Sequence, residues 1–380
     1  MKTAPSFNNH IEIQQKALRE PSEVICGNYA TNGILPKSLE YTVSGDFLSI
    51  LEKLKVTLLV SREYEHLVIA LNVKKNKLRQ SFIHLPHPSG IAVDKKTNKV
   101  YVAATRNPNQ IIELAVTSVP SSKIDEKILT PSRVKYYGGA YYFHDLAFIN
   151  GNLYANSVGK NSVIKVDFNS SLSDKVVWSP LPAKENTCNH IQLNSIAAGK
   201  SLADSYFSAS AEKPGKYKPG DLKFPVDKKG VIFHGKKGKV AARGLTRPHS
   251  ARFYKDKLWV DNSGYGEFGC IENGEFSSFV KLPGWTRGLC FKNHVAFVGV
   301  SKVFQKYKVY APGIKEKQQQ CGVYAINMKT KKIIGYIEWA IGNQIFGIET
   351  ISSSACDGFL HTKVAQSTEQ EIKFFSDYSI

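Results

Sequence analysis

Two similar sequence segments each begin with a histidine. His144 opens HDLAFINGNLYANSV and is followed by Asp145, and His249 opens HSARFYKDKLWVDNS and is followed by Ser250. An imidazole titrates near neutral pH and can transfer protons, and a neighbouring carboxylate can orient it or act as a second acid or base. A third segment, RGLCFKNHVAFVGVS, opens with Arg287, whose planar guanidinium suits a carboxylate, phosphate or sulfate. These residues predict acid–base chemistry on an anionic substrate.

The elements that carry these residues are repeated β-hairpins. Six segments consist of an apolar strand, a turn rich in Gly, Asn, Asp or Lys, and a second apolar strand, and their starts are 38 to 59 residues apart. Repeats of this length with four short strands each indicate an all-β fold, a β-propeller of four-stranded antiparallel blades around a central channel. A weaker copy, KVTLLVSREYEHLVIALN from Lys55, brings the prediction to seven blades, with six as the alternative.

The first strand of each propeller blade lies beside the channel, so the alignment of the repeats has a functional meaning. The aligned positions are Ser89, His144, Asn194, His249, Arg287 and Phe346. Five of these six residues are polar, and we expect their side chains to converge on one mouth of the channel, together with the nearby His87, Asp145, His190, Gln192 and Ser250. Each residue taken singly could instead bond loop carbonyls and join neighbouring blades.

The propeller is expected to span residues 50–355. Residues 1–49 are interpreted as an N-terminal extension, in which residues 23–36 could supply a strand that closes the ring. Residues 356–380 are interpreted as C-terminal strands or a tail that completes the last blade.

Charge and composition indicate the kind of partner. The net charge of +19 favours anionic partners, and the lysines that contribute to it are scattered through turns. No arginine-rich tract, zinc-finger spacing or RNP-like motif supports a nucleic-acid reader, and no apolar run approaches the roughly 18 residues of a membrane helix. The six cysteines form no CxxC pair, and the polar N-terminus shows no signal peptide. The sequence therefore predicts a cytoplasmic protein that binds an anionic small molecule or glycan.

Several of these motifs together resemble the DUF4915 family of uncharacterised bacterial proteins, whose members look like propellers. The resemblance covers roughly residues 50 to 350 and includes HDLAFINGNLY, CNHIQLNSIA, GLTRPHSARFYKDKLWVDNSGYGEF and LPGWTRGLCFKNHVAFVGVSK. The family motifs fall on the following residues: His144 and Asp145; His190, Leu193 and Asn194; Pro248, His249 and Ser250; Gly264, Gly266 and Glu267; Arg287 and Gly288; and Ser301 and Lys302. This chain departs from the family pattern at Ala251 and in the NHIQLNS segment around His190. The resemblance implies no activity.

Three functions fit these residues. In the first, an enzyme uses His144, Asp145, His249 and His190 as catalytic groups, and its substrate contacts are Asn194, Arg287, Ser250, Glu267, Lys302 and His87. In the second, His144, His190 and His249, with His87 as a fourth candidate, hold a divalent metal on the channel axis. In the third, a non-catalytic scaffold docks a protein or anionic glycan through basic turns and residues 303–320. Residues 212–227 are expected to form a lid or a long loop.

Overall fold

The protein is a six-bladed β-propeller. The structure, a computed structural model, describes residues 33–364 except 107–108, 118–125, 171–173, 186–187, 237–238 and 316–318. Within this part of the chain, six antiparallel sheets surround a channel, and the innermost strand of each sheet packs beside that of the next. The predicted all-β propeller with four-stranded antiparallel blades is confirmed.

Each blade runs from the channel outwards in the following strand order. Blade one contains β5 (Pro88–Val93), β6 (Val100–Ala104), β7 (Asn109–Thr117) and β8 (Ile128–Tyr137). Blade two contains β9 (Phe143–Ile149), β10 (Asn152–Ser157), β11 (Ser162–Lys165) and β12 (Val176–Trp178). Blade three contains β13 (Leu193–Ala197), β14 (Tyr206–Ala209), β15 (Gly230–His234) and β16 (Val240–Leu245). Blade four contains β17 (Pro248–Tyr254), β18 (Lys257–Asn262), β19 (Glu267–Glu272) and β20 (Glu275–Lys281). Blade five contains β21 (Trp285–Lys292), β22 (Val295–Ser301), β23 (Gly322–Asn327), β24 (Ile333–Trp339) and, outermost, β1 (Tyr41–Gly45). Blade six contains β25 (Ile345–Ser352), β2 (Val56–Arg62), β3 (Leu67–Lys74) and β4 (Lys77–His84).

The count of seven blades was wrong, and the alternative of six is correct for the described residues. The segment from Lys55 forms β2 and β3, which are the second and third strands of blade six. The inner strand of that blade is β25, from the other end of the chain, and it pairs with β2 in a register that places Ile348 opposite Val60. The ring is therefore closed by hydrogen bonds between distant parts of the sequence.

The chain before blade six covers the outside of the closure. Strand β1 extends blade five, and the helix α1 (Phe47–Leu54) buries Phe47, Ile50 and Leu51 in a core that blades five and six share. Of the segment 23–36, residues 23–32 lie outside the described residues. Short 3₁₀ helices occur at Pro36–Leu39, Ala183–Glu185, Ser263–Tyr265 and Gln305–Tyr310.

Tight turns fix the register of the hairpins. The turn between β9 and β10 places Asn150 and Gly151 at φ values of 46° and 73°, and that between β17 and β18 places Lys255 and Asp256 at 48° and 59°. Two consecutive residues with positive φ define the turn whose twist matches a two-residue hairpin. Because blades stack face to face, strands such as β2 and β6 are buried at every position. No helix in the described part of the chain is long and apolar enough to cross a membrane.

Candidate functional site: the channel entrance

The predicted ring of side chains at the channel mouth lies at the start of the inner strands. Ser89, His144, Asn194, His249 and Phe346 are each the second residue of their inner strand, and Arg287 is the third. The pairing register shifts directly after His249 and around Arg287, where Ser250 and Gly288 have positive φ values of 54° and 88°. These matching β-bulges place His249 and Arg287 at equivalent positions, as the aligned repeats predict.

A cavity of about 420 Å³ opens at this end of the channel, which we call the entrance cavity. Of the aligned residues, His144, Arg287 and Phe346 line it. The other polar and aromatic lining side chains are Glu63, Tyr64, Thr105, Arg106, Tyr142, Asn189, Gln192, Arg247, Trp285, Tyr307, Tyr310 and Gln344. The cavity is thus a concave site with convergent polar groups on aromatic walls, the usual arrangement of a ligand pocket.

Two buried arginines dominate the charge of the entrance cavity. Arg247 and Arg287 are 7% and 6% exposed, and neither makes an ion pair with any carboxylate among the described residues. The Arg247 guanidinium lies 4.9 Å from the Trp285 ring centroid and 4.8 Å from that of Tyr310. Burial lowers the pKa of Arg247 to about 10, and burial together with the charge of Arg247 lowers that of Arg287 to about 9. Both groups remain cationic near neutral pH at a cost in desolvation.

A third arginine is compensated. Arg106 Nε lies 3.3 Å from Glu63 Oε1. Burial is the largest single effect on Arg106 and disfavours its charge, but Glu63, Tyr64 and Tyr307 together outweigh burial and raise the arginine's pKa. Burial raises the pKa of Glu63, and the opposing charges of Arg106 and Arg287 only partly offset that rise. With one carboxylate against three guanidinium groups, the cavity has an excess of positive charge.

The contacts of His144 define its tautomer. Arg287 Nη2 lies 3.2 Å from His144 Nδ1, and since a guanidinium can only donate, Nδ1 must be the unprotonated acceptor. In the neutral ring the proton is then on Nε2. Burial, followed by the charge of Arg287, lowers the pKa of His144 well below its usual value, and the neighbouring Asn194 side chain opposes this only slightly. His144 is therefore a neutral imidazole whose basic nitrogen meets an arginine in the entrance cavity.

His249 lies behind the cavity wall and is only 1% exposed. Its Nδ1 lies 2.8 Å from the Arg247 carbonyl oxygen and 2.9 Å from Ser263 Oγ, whose own proton is donated to the Thr286 carbonyl. Nδ1 therefore carries the proton, and Nε2 has no hydrogen-bond partner among the described residues. Burial and then the charges of Arg287 and Arg247 lower the pKa of His249 well below its usual value. Its strand partner Asp261 is also fully buried, and burial raises its pKa well above the usual value.

Asp145 lies one residue further along β9 and does not line the entrance cavity. Its carboxylate binds Arg252 in a bidentate manner, at 2.7 and 2.9 Å, and accepts hydrogen bonds from the backbone N–H groups of Leu146 and Ile196. These contacts join the inner strands of blades two, three and four. The structure thus places Asp145 in a channel-spanning ion pair and not beside His144.

The remaining predicted residues have mainly structural contacts. Asn194 donates to the Pro248 carbonyl, Ser250 accepts from the Gly288 N–H, and Glu267 accepts from Asn262. His190 contacts Cys188 Sγ at 3.3 Å, His87 packs on His66 with centroids 4.3 Å apart, and Lys302 follows β22 as a half-buried residue. None of these six residues lines the entrance cavity.

The predicted histidine metal set does not assemble in the described part of the chain. Neither His87 nor His190 lines the cavity that His144 faces. Among the described residues, no group of three or more His, Cys, Asp or Glu side chains could hold a metal ion. The residues at the entrance therefore do not fit a histidine-bound metal centre.

Apart from Gln192, the cavity residues that lie outside the first strands were not predicted from the sequence. Glu63 and Tyr64 lie in the turn between β2 and β3, Arg106 follows β6, and Arg247 immediately precedes β17. The only sequence signal for Arg247 is its position in TRPHS, two residues before His249.

The two long insertions meet over the cavity. Tyr310 accepts a hydrogen bond from the Gly220 N–H and donates one to the Asp221 carbonyl. Tyr310 also packs with Trp285, Phe224 and Val226 in one apolar cluster. The described parts of residues 212–227 and 303–320 therefore form a wall of the entrance cavity.

Fold and site together define a six-bladed β-propeller with a positively charged, aromatic-walled cavity at one mouth of its channel. The chain belongs to the family described as domain of unknown function DUF4915, whose sequence profile matches residues 45–360. This match confirms the resemblance drawn from the motifs.

Solved structures to which this chain is similar have low sequence identity to it. A chain of the nidogen/laminin complex is 11% identical, with a TM-score of 0.53, over 78% of this chain and 99% of that one. Virginiamycin B lyase from Staphylococcus aureus is 9% identical, with a TM-score of 0.41, over 79% of this chain and 98% of that one. A gluconolactonase from Xanthomonas campestris is 13% identical, with a TM-score of 0.45, over 68% and 78%. No curated protein matches the sequence.

Proposed function

We propose that the protein binds a small anionic molecule in the entrance cavity and catalyses a proton transfer on it. The observation that carries this proposal is the pair of buried guanidinium groups, Arg247 and Arg287, without a carboxylate partner among the described residues. Burying an uncompensated cation costs several kcal/mol in a protein interior. A bound carboxylate, phosphate or sulfate would offset that cost, since its oxygens accept the N–H donors of an arginine fork.

The cavity matches a compact ligand. Its volume of about 420 Å³ lies in the range of small-molecule pockets. Aromatic side chains from separate blades, among them Tyr142, Trp285 and Phe346, provide apolar walls around the arginines. A ligand with one anionic group and a short carbon skeleton would meet both kinds of surface.

His144 is the group we assign to proton transfer. Its Nδ1 lone pair accepts a hydrogen bond from Arg287. A ligand anion that takes over this N–H would leave the lone pair free within reach of the ligand. The negative ligand would also raise the pKa of His144, because it counters the charge of Arg287.

Hydrogen exchange tests this assignment without knowledge of the final product. Candidate carboxylates with an acidic C–H, such as 2-hydroxy acids and uronates, are incubated with the protein in D₂O and followed by NMR. We expect deuterium to enter the position next to the carboxylate of a bound compound. A positioned base contributes about 10²- to 10⁴-fold, so His144→Gln should slow exchange by that factor.

Two controls separate catalysis from binding. Arg243→Met removes an exposed arginine that is paired with Glu212 on the surface, so exchange should persist. His144→Gln should still bind the compound, since Arg247 and Arg287 remain. Exchange at an unchanged rate in His144→Gln would rule out the role given to this histidine.

A further inference from the structure

A second cavity, of about 510 Å³, lies at the opposite end of the channel, where the inner strands end; we call it the exit cavity. Counting along the inner strands, the residues three beyond the entrance ring are Ala92, Ala147, Ala197, Arg252, Cys290 and Glu349. Three of these six are alanines, of which Ala92 and Ala147 line the exit cavity. Arg252 and Glu349 are the two charged side chains in this layer.

The exit cavity is separated from the entrance cavity by an ion pair. Arg252 binds both oxygens of Asp145 and also donates to the carbonyl oxygens of Ile196 and Ala251. Both terminal nitrogens of Arg252 are thus bonded to protein groups. Asp145 is equally engaged, because backbone N–H groups bond both of its oxygens. This pair divides the channel and presents no free charge to a ligand.

Glu349 has no such partner. Among the described residues its carboxylate takes part in no ion pair and no side-chain hydrogen bond, although it lines the exit cavity. Burial raises the pKa of Glu349 to about 7, and the nearby charges of Arg252 and Lys95 oppose that rise only in part. Glu349 is half-buried, and among the described residues its carboxylate accepts a hydrogen bond from the Thr350 backbone N–H alone. Such a carboxylate is stabilised when an ammonium group meets it.

The walls and rim of the exit cavity indicate which chemical groups a ligand there would carry. One layer further out, at equivalent positions of blades two, four and five, are the half-buried rings of Phe148, Phe253 and Phe291. Such rings contact apolar groups and also attract cations at their faces. Lys95 and Lys292 lie at the rim, and neither forms an ion pair among the described residues. The cavity thus presents, from the channel axis outwards, a carboxylate, aromatic walls and two ammonium groups.

We propose that the exit cavity is a second ligand site, which takes a zwitterion of the amino-acid type with an apolar side chain. The ligand's ammonium group meets Glu349, its side chain packs against the three phenylalanines, and its carboxylate meets Lys95 and Lys292. This site shares no lining residue with the entrance cavity, so it is independent of the function proposed above.

Calorimetric titration of the full chain with L-phenylalanine, phenethylamine and N-acetyl-L-phenylalanine tests the proposal. We expect L-phenylalanine to bind most tightly, phenethylamine more weakly because it has no carboxylate, and the N-acetyl compound weakest because it has no ammonium group. Glu349→Gln, which keeps the shape of the side chain, should weaken L-phenylalanine binding by about tenfold or more. Arg287→Met, at the other cavity, should leave the binding unchanged.

The pH dependence provides a separate readout. Only the ionised carboxylate of Glu349 attracts an ammonium group, and the other charged or titratable groups near it are Arg252, Asp145, Lys95, Lys292 and Cys290. With a pKa of about 7 in the free protein, affinity should rise about tenfold between pH 6 and pH 8, and Glu349→Gln should abolish this rise. Equal affinity for the N-acetyl compound, unchanged affinity in Glu349→Gln, or no saturable binding at millimolar concentration would overturn the proposal.

Discussion

Arg247 and Arg287 show how single residues can be unfavourable for folding and favourable for binding. Both guanidinium groups are buried, and neither forms an ion pair with a carboxylate among the described residues. Arg247 packs on the rings of Trp285 and Tyr310, and Arg287 packs on the ring of Phe346. A pocket designed only for stability would place apolar side chains at these positions. The two arginines are therefore the strongest indication that the cavity serves a ligand.

His144, which is half-buried, and His249, which is buried, predict a specific acid sensitivity. His144 and His249 have pKa values well below the usual value in the folded state, mainly because of burial, whereas the unfolded chain binds protons near pH 6.5. The unfolded state therefore gains protons first as pH falls, and stability present above about pH 6.5 is lost below it. The loss is at most about 1.4 kcal/mol per pH unit for each histidine.

Urea unfolding between pH 5 and pH 8 measures this effect. His144→Gln should reduce the slope of the unfolding free energy below about pH 6.5 by about 1.4 kcal/mol per pH unit. His294→Gln, which removes an exposed histidine, serves as the matched control and should keep the wild-type slope. An identical slope in His144→Gln and wild type would show that His144 is not held as a neutral imidazole.

At the scale of elements, the inner strands pack so closely that they require small residues at defined positions. A Cβ atom at Gly90 of β5 would lie 2.5 Å from the Asp145 Cα of β9. At Gly347 of β25 it would lie 2.6 Å from the Ser89 carbonyl oxygen. Ser61 reinforces the contact at β25, since it donates to Ser89 and accepts from the Gly347 N–H. These contacts hold the first residues of the strands, and hence the entrance cavity, in place.

Gly90→Ala should therefore be strongly destabilising. Backbone atoms must move to admit the methyl group, and we expect a loss of about 3 kcal/mol or more in the free energy of unfolding. Gly138→Ala is the matched control, because a Cβ there meets no atom within 4 Å and its φ is not in the left-handed region. Its effect should stay within about 0.5 kcal/mol. Denaturant midpoints of both variants test this, and similar losses in the two would contradict the close packing of β5 on β9.

At the scale of the whole molecule, local patterns predicted the repeated unit well and the closure poorly. The bounds and register of inner strands such as β9 and β17 follow from an apolar run and a two-residue turn, both of which are local. The inner strand of blade six is far from its blade in the sequence, so β2 and β3 were interpreted as an additional blade. No local pattern identifies a pairing such as Val60 with Ile348.

The candidate site was also predicted only in part: residues within the repeated strands were found, and residues in the connections were missed. His144 and Arg287 were found because they begin repeated strands, and both line the entrance cavity. Arg106, Arg247 and Glu63 were missed because each lies in a connection, and only the closed ring brings these connections together. Asp145 looked like a catalytic partner because it follows His144, but successive strand residues point to opposite sides.

The central claim is that Arg247 and Arg287 form an anion site at the channel entrance. Its most direct test is thermal unfolding at constant ionic strength in chloride and then with added phosphate, sulfate or succinate. An anion at a hundred times its dissociation constant should stabilise the wild type by about 3 kcal/mol. Arg243→Met, at the exposed pair with Glu212, should respond like the wild type, whereas Arg287→Met and Arg247→Met should lose most of the response. No stabilisation of the wild type by any of these anions, or an equal response in Arg287→Met, would contradict the account.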